Sequence, residues 1–551
     1  MSRRIAVLAA SAALISGVAT QAAAADPASC AGLASLHLPD TTITLAAPVT
    51  DGPLPPYCRV VGVIRPTADS QIGFETWLPL QNWNGKFNGV GGGGFAGAIS
   101  TDAMAAALLR GYASASTDTG HVGVGPFPGL PAPSLDGTWA LGHPEKVIDF
   151  GPRSLHLTTQ NAKAIVHAFY GRGASRSYYV GCSTGGRQGL MEAQQFPHDY
   201  DGLVVGAPAN FWTHLLAGGA AAYQARLKDP ESYFPAAKLP LLEAAVNAKC
   251  DLKDGIADGV LNDPRQCDFK PSSLLCKAGQ DPQTCFTAKQ VVALEKIYRG
   301  AYNPRTGELI FPGLLPGAET AGWPAWVTGA APGFSLIDIF ATQYFKFFVF
   351  QNPAYNLLTF DFDADQAFNE ASVGRFINAI NPDLRPLQQR GGKILLYHGW
   401  NDPAISALNS VNYYESVVSF STGRRDTRRE ALGEVQEFFR LFMVPGMEHC
   451  GGGPGPNAFG GAFALPAPTT DAQHDLLSAL ERWVERGNAP AKIIATKYAG
   501  DNPAGPITRQ RPLCPYPATA VYKGSGSTDD ASNFKCRAEH ADDVDHDGDD
   551  D

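Results

Sequence analysis

Tyr178-Tyr179-Val180-Gly181-Cys182-Ser183-Thr184-Gly185-Gly186-Arg187-Gln188 is the stretch that decides how the chain is read. An apolar β-run enters a Gly-x-Ser-x-Gly turn, and a helical segment, Gln188 to Gln195, leaves it. Gly181 and Gly185 allow a turn tight enough to hold the Ser183 hydroxyl in a strained, exposed position. A helix starting just behind Ser183 aims its N–H groups at any oxyanion formed there. The pentapeptide alone is a common turn; the strand before it and the helix after it make Ser183 a candidate nucleophile.

Working outward, Leu155 to Tyr170 has helical spacing and stops at Gly171, and Leu203 to Pro208 is a short buried strand. Strand, helix and strand at this spacing predict a parallel sheet with crossovers. Upstream, Arg59 to Arg65, Ile72 to Leu78, Phe87 to Val90 and Tyr112 to Ser116 read as strands. The third runs into Gly91-Gly92-Gly93-Gly94, which leaves backbone N–H groups uncovered. Such a run is either a flexible loop or one half of an oxyanion hole, with Gly93 or Gly94 donating from one side and Thr184 from the other.

From about Phe211 to Ile380 helical runs, aromatic clusters and Cys-rich loops replace the strand–helix alternation, which predicts an inserted domain over the site. The earlier pattern resumes at Lys393-Ile394-Leu395-Leu396-Tyr397-His398-Gly399-Trp400-Asn401-Asp402, an apolar strand ending in a carboxylate loop. Phe438 to Val444 is a further strand, followed by Pro445-Gly446-Met447-Glu448-His449-Cys450. Asp471 to Arg486 is an amphipathic helix with Leu476, Leu480, Trp483 and Val484 on one face, closed by Gly487.

A serine that attacks an ester needs a base for its proton and a carboxylate to orient that base. The chain supplies Ser183, Asp402 and His449 in that order, the last two each just after an expected strand, so all three fall at one sheet edge. Each outer member has a cysteine beside it, Cys182 and Cys450.

Met1 to Ala25 read as a secretory leader: Arg3 and Arg4, the apolar run Ile5 to Val18, then Ala22 to Ala25 as a cleavage site. That run is short for a membrane span, and no later segment stays apolar for twenty residues. The net charge of −10 is mostly in the tail, where eight acids after Cys536 stand against Arg537 and leave about −3 for the rest. Nothing in that balance points to nucleic acid. Ten cysteines in an exported chain imply disulfides. Eight fall as local pairs: Cys30 with Cys58, Cys250 with Cys267, Cys276 with Cys285, Cys514 with Cys536. Cys182 and Cys450 are left, either as two free thiols or as a bond that would tie the serine turn to the histidine loop, worth roughly 5 kcal/mol in the chain-entropy model.

The sequence resembles the tannase and feruloyl esterase family of α/β-hydrolases, which includes the mono(2-hydroxyethyl) terephthalate hydrolases. The resemblance rests on Leu141-Gly142-His143-Pro144-Glu145-Lys146, Gly181 to Gly189, Asp402-Pro403, His449-Cys450 and Leu513-Cys514-Pro515-Tyr516-Pro517. It implies an α/β-hydrolase fold with a large inserted lid, Ser183 as nucleophile, Asp402 as orienter, His449 as base, and a Cys182–Cys450 disulfide. The expected layout is a leader over 1–25, core over 26–210 and 381–536, lid over 211–380 and an acidic tail over 537–551. No organic cofactor is implied; the expected partner is a small aromatic ester, and the place of action is the periplasm or the medium. The competing class is a hydrolase scaffold that holds aromatic ligands without turnover.

Within the lid, Cys250-Asp251-Leu252-Lys253-Asp254-Gly255-Ile256-Ala257-Asp258-Gly259-Val260 places three carboxylates and two glycines in one loop. Read alone, it is as much a solvated acidic turn as a site for a hard cation. The resemblance implies structural calcium held by Asp251, Asp254 and Asp258 and the carbonyls of Ile256 and Val260. Lid aromatics around Tyr344-Phe345-Lys346-Phe347-Phe348 read as helix packing, or as a wall for an aromatic acyl group with Lys346 meeting a carboxylate or phenol. Trp400 and Ile405 are further candidates for the pocket wall.

Overall fold

The computed structural model describes residues 29–126, 132–423 and 427–538. The leader and residues 539–551 of the tail lie outside them. Eleven strands matter here: β1 (Thr41–Val49), β2 (Tyr57–Ile64), β3 (Ile72–Pro79), β4 (Lys86–Val90), β5 (Ala113–Thr117), β6 (Arg176–Cys182), β7 (Gly202–Gly206), β8 (Gly300–Tyr302), β9 (Leu309–Pro312), β10 (Lys393–Gly399) and β11 (Phe439–Val444). Nine form one sheet in the order β1-β2-β3-β5-β4-β6-β7-β10-β11, while β8 and β9 make a separate hairpin. Pairing is antiparallel from β1 through β3 to β5 and parallel from β5 onward.

The parallel half is covered by helices on both faces, so its strands are nearly all apolar rather than alternating. Every residue of β7 is buried, as are all of β10 but Lys393. Register then fixes where the site lies. Cys182 pairs with Gly206, Tyr397 also with Gly206, and Gly399 with Val444. The carboxyl ends of β6, β7, β10 and β11 therefore stop at one edge, where ligands bind in open α/β sheets. These features make the fold that of an α/β-hydrolase.

Between β7 and β10 the chain leaves the sheet. Helices Trp212–Leu227, Leu239–Cys250, Ala288–Arg299 and Leu336–Tyr344 and the β8–β9 hairpin make up this segment, with a core cluster that includes Phe234, Leu242, Leu294 and Trp323. The helix expected from Asp471 starts later, at Leu476. Asp475 caps it by accepting from Ser478 N at 2.8 Å, while Asp471 closes a turn of its own on Gln473 N. Its apolar stripe is as expected: Leu476, Leu480 and Trp483 are buried. Arg537, read as the first residue of the tail, pairs with Thr519 across a short terminal hairpin.

All five disulfides form: Cys30–Cys58, Cys182–Cys450, Cys250–Cys267, Cys276–Cys285 and Cys514–Cys536. Among the described residues no helix is long and apolar enough to cross a membrane.

Candidate active site

Ser183 follows the last residue of β6 and precedes helix Thr184–Gln195, with φ 63° and ψ −122°. A non-glycine residue in that region costs on the order of 1–3 kcal/mol, and its surroundings must hold it there. They do so from both sides. Ser183 N donates to Gly206 O at 3.0 Å, and Ser183 O accepts from Arg187 N and Ala209 N. The turn is also too close for side chains: a Cβ on Gly181 would lie 2.6 Å from Gly185 O. The hydroxyl does not cap the helix it begins.

The glycine run is anchored to β6 and to that same helix rather than loose. Gly91 N donates to Val180 O at 3.0 Å, Gly92 N to Gln188 Oε1 at 3.0 Å, and the Thr184 hydroxyl to Gly94 O at 2.5 Å. Gly93, Gly94 and Thr184 line one cavity together with Ser183 and His449.

Asp402 is buried in the loop after β10 with every lone-pair direction used. Its Oδ1 accepts from Ala404 N at 2.8 Å and Ile405 N at 2.9 Å; its Oδ2 accepts from His449 Nδ1 at 2.8 Å and His398 Nε2 at 3.0 Å. Burial pushes its pKa up, but the His449 charge and the hydrogen bonds from His398 and His449 outweigh burial and hold the carboxyl well below the usual range. An ionised Asp402 only accepts, so the proton between it and His449 sits on Nδ1, which leaves Nε2 as the basic nitrogen. The His449 side chain is 11% exposed. The Trp326 ring of the inserted segment meets it edge-on, centroids 5.1 Å apart. Among the described residues, neither Ser183 Oγ nor His449 Nε2 has a hydrogen-bond partner, so the pair stands open, as such pairs often do without substrate.

The cavity holds about 500 Å³. Its wall is mostly apolar: Trp212, Leu216, Phe311, Ile337, Trp326 and Phe340 from the inserted segment face Ala404 and Ile405 of the Asp402 loop. A volume of about 300–1,000 Å³ with few polar groups is what a small-molecule site shows.

A family model described as tannase and feruloyl esterase matches residues 58–537. The chain belongs to the tannase and feruloyl esterase family. It is thereby a carboxylic ester hydrolase. It is 43% identical over 536 residues to an uncharacterised esterase of Xanthomonas campestris pv. campestris, covering 92% of this chain and 91% of that one. It is 36% identical to the mono(2-hydroxyethyl) terephthalate hydrolase of Piscinibacter sakaiensis, covering 90% and 87%. Feruloyl esterase B from Aspergillus oryzae superposes with a TM-score of 0.80 at 30% identity, covering 92% of this chain and 99% of that one.

The structure places the remaining sequence candidates of this family member unequally. Ile405 lines the cavity. Trp400 does not: it is buried beneath the Arg265 guanidinium, 4.9 Å from the ring. Lys346 is also absent from the wall, on a turn whose Phe345, Phe347 and Phe348 point inward to aromatic packing. Two contributors carry no spacing signal: His398, one β-strand position before Gly399, and Trp326 in the middle of the insertion.

The acidic loop of this esterase is tightly folded on itself. Asp251 Oδ1 accepts from Gly259 N at 3.0 Å, Asp254 Oδ1 from Ile256 N at 2.9 Å and Asp258 Oδ1 from Val260 N at 3.1 Å. Arg511 lies 2.5 Å and Arg509 3.2 Å from Asp258 Oδ2. Asp254, Ile256, Asp258 and Val260 border a cavity of about 30 Å³. Burial first, then the charges of Asp258 and Asp251, raise the Asp254 pKa to about 6. The ligand atoms of the three acids do not all lie within 4.8 Å of one another. The three acids are the side-chain oxygen donors this loop offers a hard cation, and Asp258 is already paired with both arginines.

Proposed function

We propose that this family member cleaves esters of aromatic acids by an acyl-enzyme route through Ser183, His449 and Asp402. The observation that carries the reading is that a strained elbow serine and an Asp402-bound imidazole line one largely apolar cavity. Ser183 Oγ attacks the ester carbonyl as His449 Nε2 takes its proton. The N–H groups of Thr184 and Gly93 receive the oxyanion, and the alcohol leaves with the proton from His449. Water, deprotonated by the same nitrogen, then adds to the acyl carbonyl; Ser183 leaves, and the acid is released. Asp402 stabilises the imidazolium in both halves. The apolar wall, with Trp212, Phe311, Trp326 and Phe340, suits an aromatic acyl or alcohol group, which supports hydroxycinnamic, gallic or terephthalic esters over short aliphatic ones.

The test is turnover of methyl ferulate, methyl gallate and mono(2-hydroxyethyl) terephthalate beside p-nitrophenyl acetate, by wild type and Ser183→Ala. At least one aromatic ester hydrolysed by wild type and none by the variant is expected. Full activity in Ser183→Ala would end the reading.

Two further elements belong to the proposal. A calcium ion held by Asp251, Asp254 and Asp258 and the carbonyls of Ile256 and Val260 would brace the inserted segment, with the Cys250–Cys267 bridge at its base; it supplies stability, not chemistry. Export is supported by the five disulfides, which persist in oxidising compartments.

A further inference from the structure

Among the residues lining the cavity, two side chains other than Ser183 and His449 stand apart from the apolar wall by charge or exposure: Lys296, which is charged and exposed, and Phe463, which is exposed. Lys296 lies in the last turn of helix Ala288–Arg299. Its ammonium has no ion pair and no side-chain hydrogen bond among the described residues. The other lysine of that helix is the contrast: Lys289 Nζ sits 2.8 Å from Asp229 and 2.6 Å from Glu231. Arg299, one turn further on, stacks over Tyr302. Among the described residues Lys296 is therefore the one cation of this helix left without a protein partner, and it borders the space that also holds Ser183.

We propose that Lys296 gives this enzyme a preference for aromatic esters that carry a carboxylate remote from the reacting carbonyl. This rests on the hydrolase reading above and names the substrate class within it. The physical basis is twofold. A cation beside a low-dielectric wall attracts a carboxylate more strongly than one in open water. An exposed lysine at the border of an apolar wall keeps its charged head wet, so an anionic ligand group is met without stripping the lysine of all its water. The lysine expected in this role, Lys346, is outside the wall, so the task falls to a different turn of the insertion.

The experiment compares monomethyl terephthalate with its neutral counterpart, methyl 4-carbamoylbenzoate, in wild type, Lys296→Gln and Lys296→Arg. In Lys296→Gln the ratio of kcat/KM between the anionic and neutral ester is expected to fall about tenfold, equivalent to about 1.4 kcal/mol. The loss should appear in KM, Lys296→Arg should restore most of it, and added salt should erode the wild-type ratio. Calorimetry of monomethyl terephthalate with Ser183→Ala, with and without Lys296→Gln, reads the same contact without turnover. An unchanged ratio, or equal binding by the two calorimetric proteins, overturns the proposal. Loss of turnover on both esters in wild type, with binding still dependent on Lys296, would instead count against the hydrolase reading alone.

Discussion

His398 and His449 share one oxygen: Asp402 Oδ2 lies 3.0 Å from His398 Nε2 and 2.8 Å from His449 Nδ1. Nε2 is also 3.0 Å from Ile405 O, which can only accept, so Nε2 carries a hydrogen shared between the two oxygens; Nδ1 lies 2.7 Å from Ser410 Oγ. His398 thus ties the carboxylate to the backbone of a cavity-wall residue.

His398→Ala should lower kcat by between about ten- and a hundredfold, less than the ~10²–10⁴-fold a general base contributes, with a smaller effect on KM. Steady-state kinetics check this, and His398→Gln, which keeps a donor, should recover part of the loss. A kcat equal to wild type would mean that the remaining bonds to Asp402 position it unaided.

Cys182→Ser with Cys450→Ser should lower both the melting temperature and kcat. The bridge spans a sequence separation of 268 and joins the neighbours of nucleophile and base, so stability and alignment are lost together. Calorimetry and kinetics on the double variant read the two effects separately.

Glu448 gives a pH dependence. Burial, then the negative charges of Asp402 and Glu243, raise its pKa to about 8. The folded state holds this proton between about pH 4.5 and 8 while the unfolded chain has released it, so its contribution to stability is present below pH 4.5 and declines as pH rises toward 8. Glu448→Gln should therefore raise the melting temperature relative to wild type at pH 8.5 by about 2–4 °C, the effect of about 1 kcal/mol in a large domain, and change it least at about pH 5.

Chelation with EDTA should lower the melting temperature, and calcium should restore it; Asp254→Asn should abolish the response. Because the Asp254 pKa is raised to about 6 without a cation, a proton competes for the carboxylate, and the calcium-dependent shift should grow as pH rises from about 5 to about 7. Identical melting curves with and without EDTA at about pH 7 would remove calcium from the account.

Much of the core is legible in the chain because its strands are buried on both faces and interrupted by glycine. Apolar runs ending at Cys182, Gly206, Gly399 and Val444 announce parallel strands, and parallel register alone brings the loop after each strand to one edge. Edge strand β1 gives no such signal, since its half-exposed Thr41-Thr42-Ile43-Thr44 lacks a continuous apolar run. The start of helix Leu476–Arg486 differs from the expected one because Asp471 and Asp475 are equally good caps in sequence, and only packing chooses between them. His398 and the choice of Lys296 over Lys346 depend on tertiary approach, which no local spacing records.

The edge-on meeting of Trp326 with His449 has a consequence for engineering. A chimera that took its insertion from a relative would not only exchange one specificity module for another. It would also replace the ring that packs against the catalytic imidazole, so selectivity and proton-transfer rate in such hybrids would shift together, and screens that score one alone would misattribute the other.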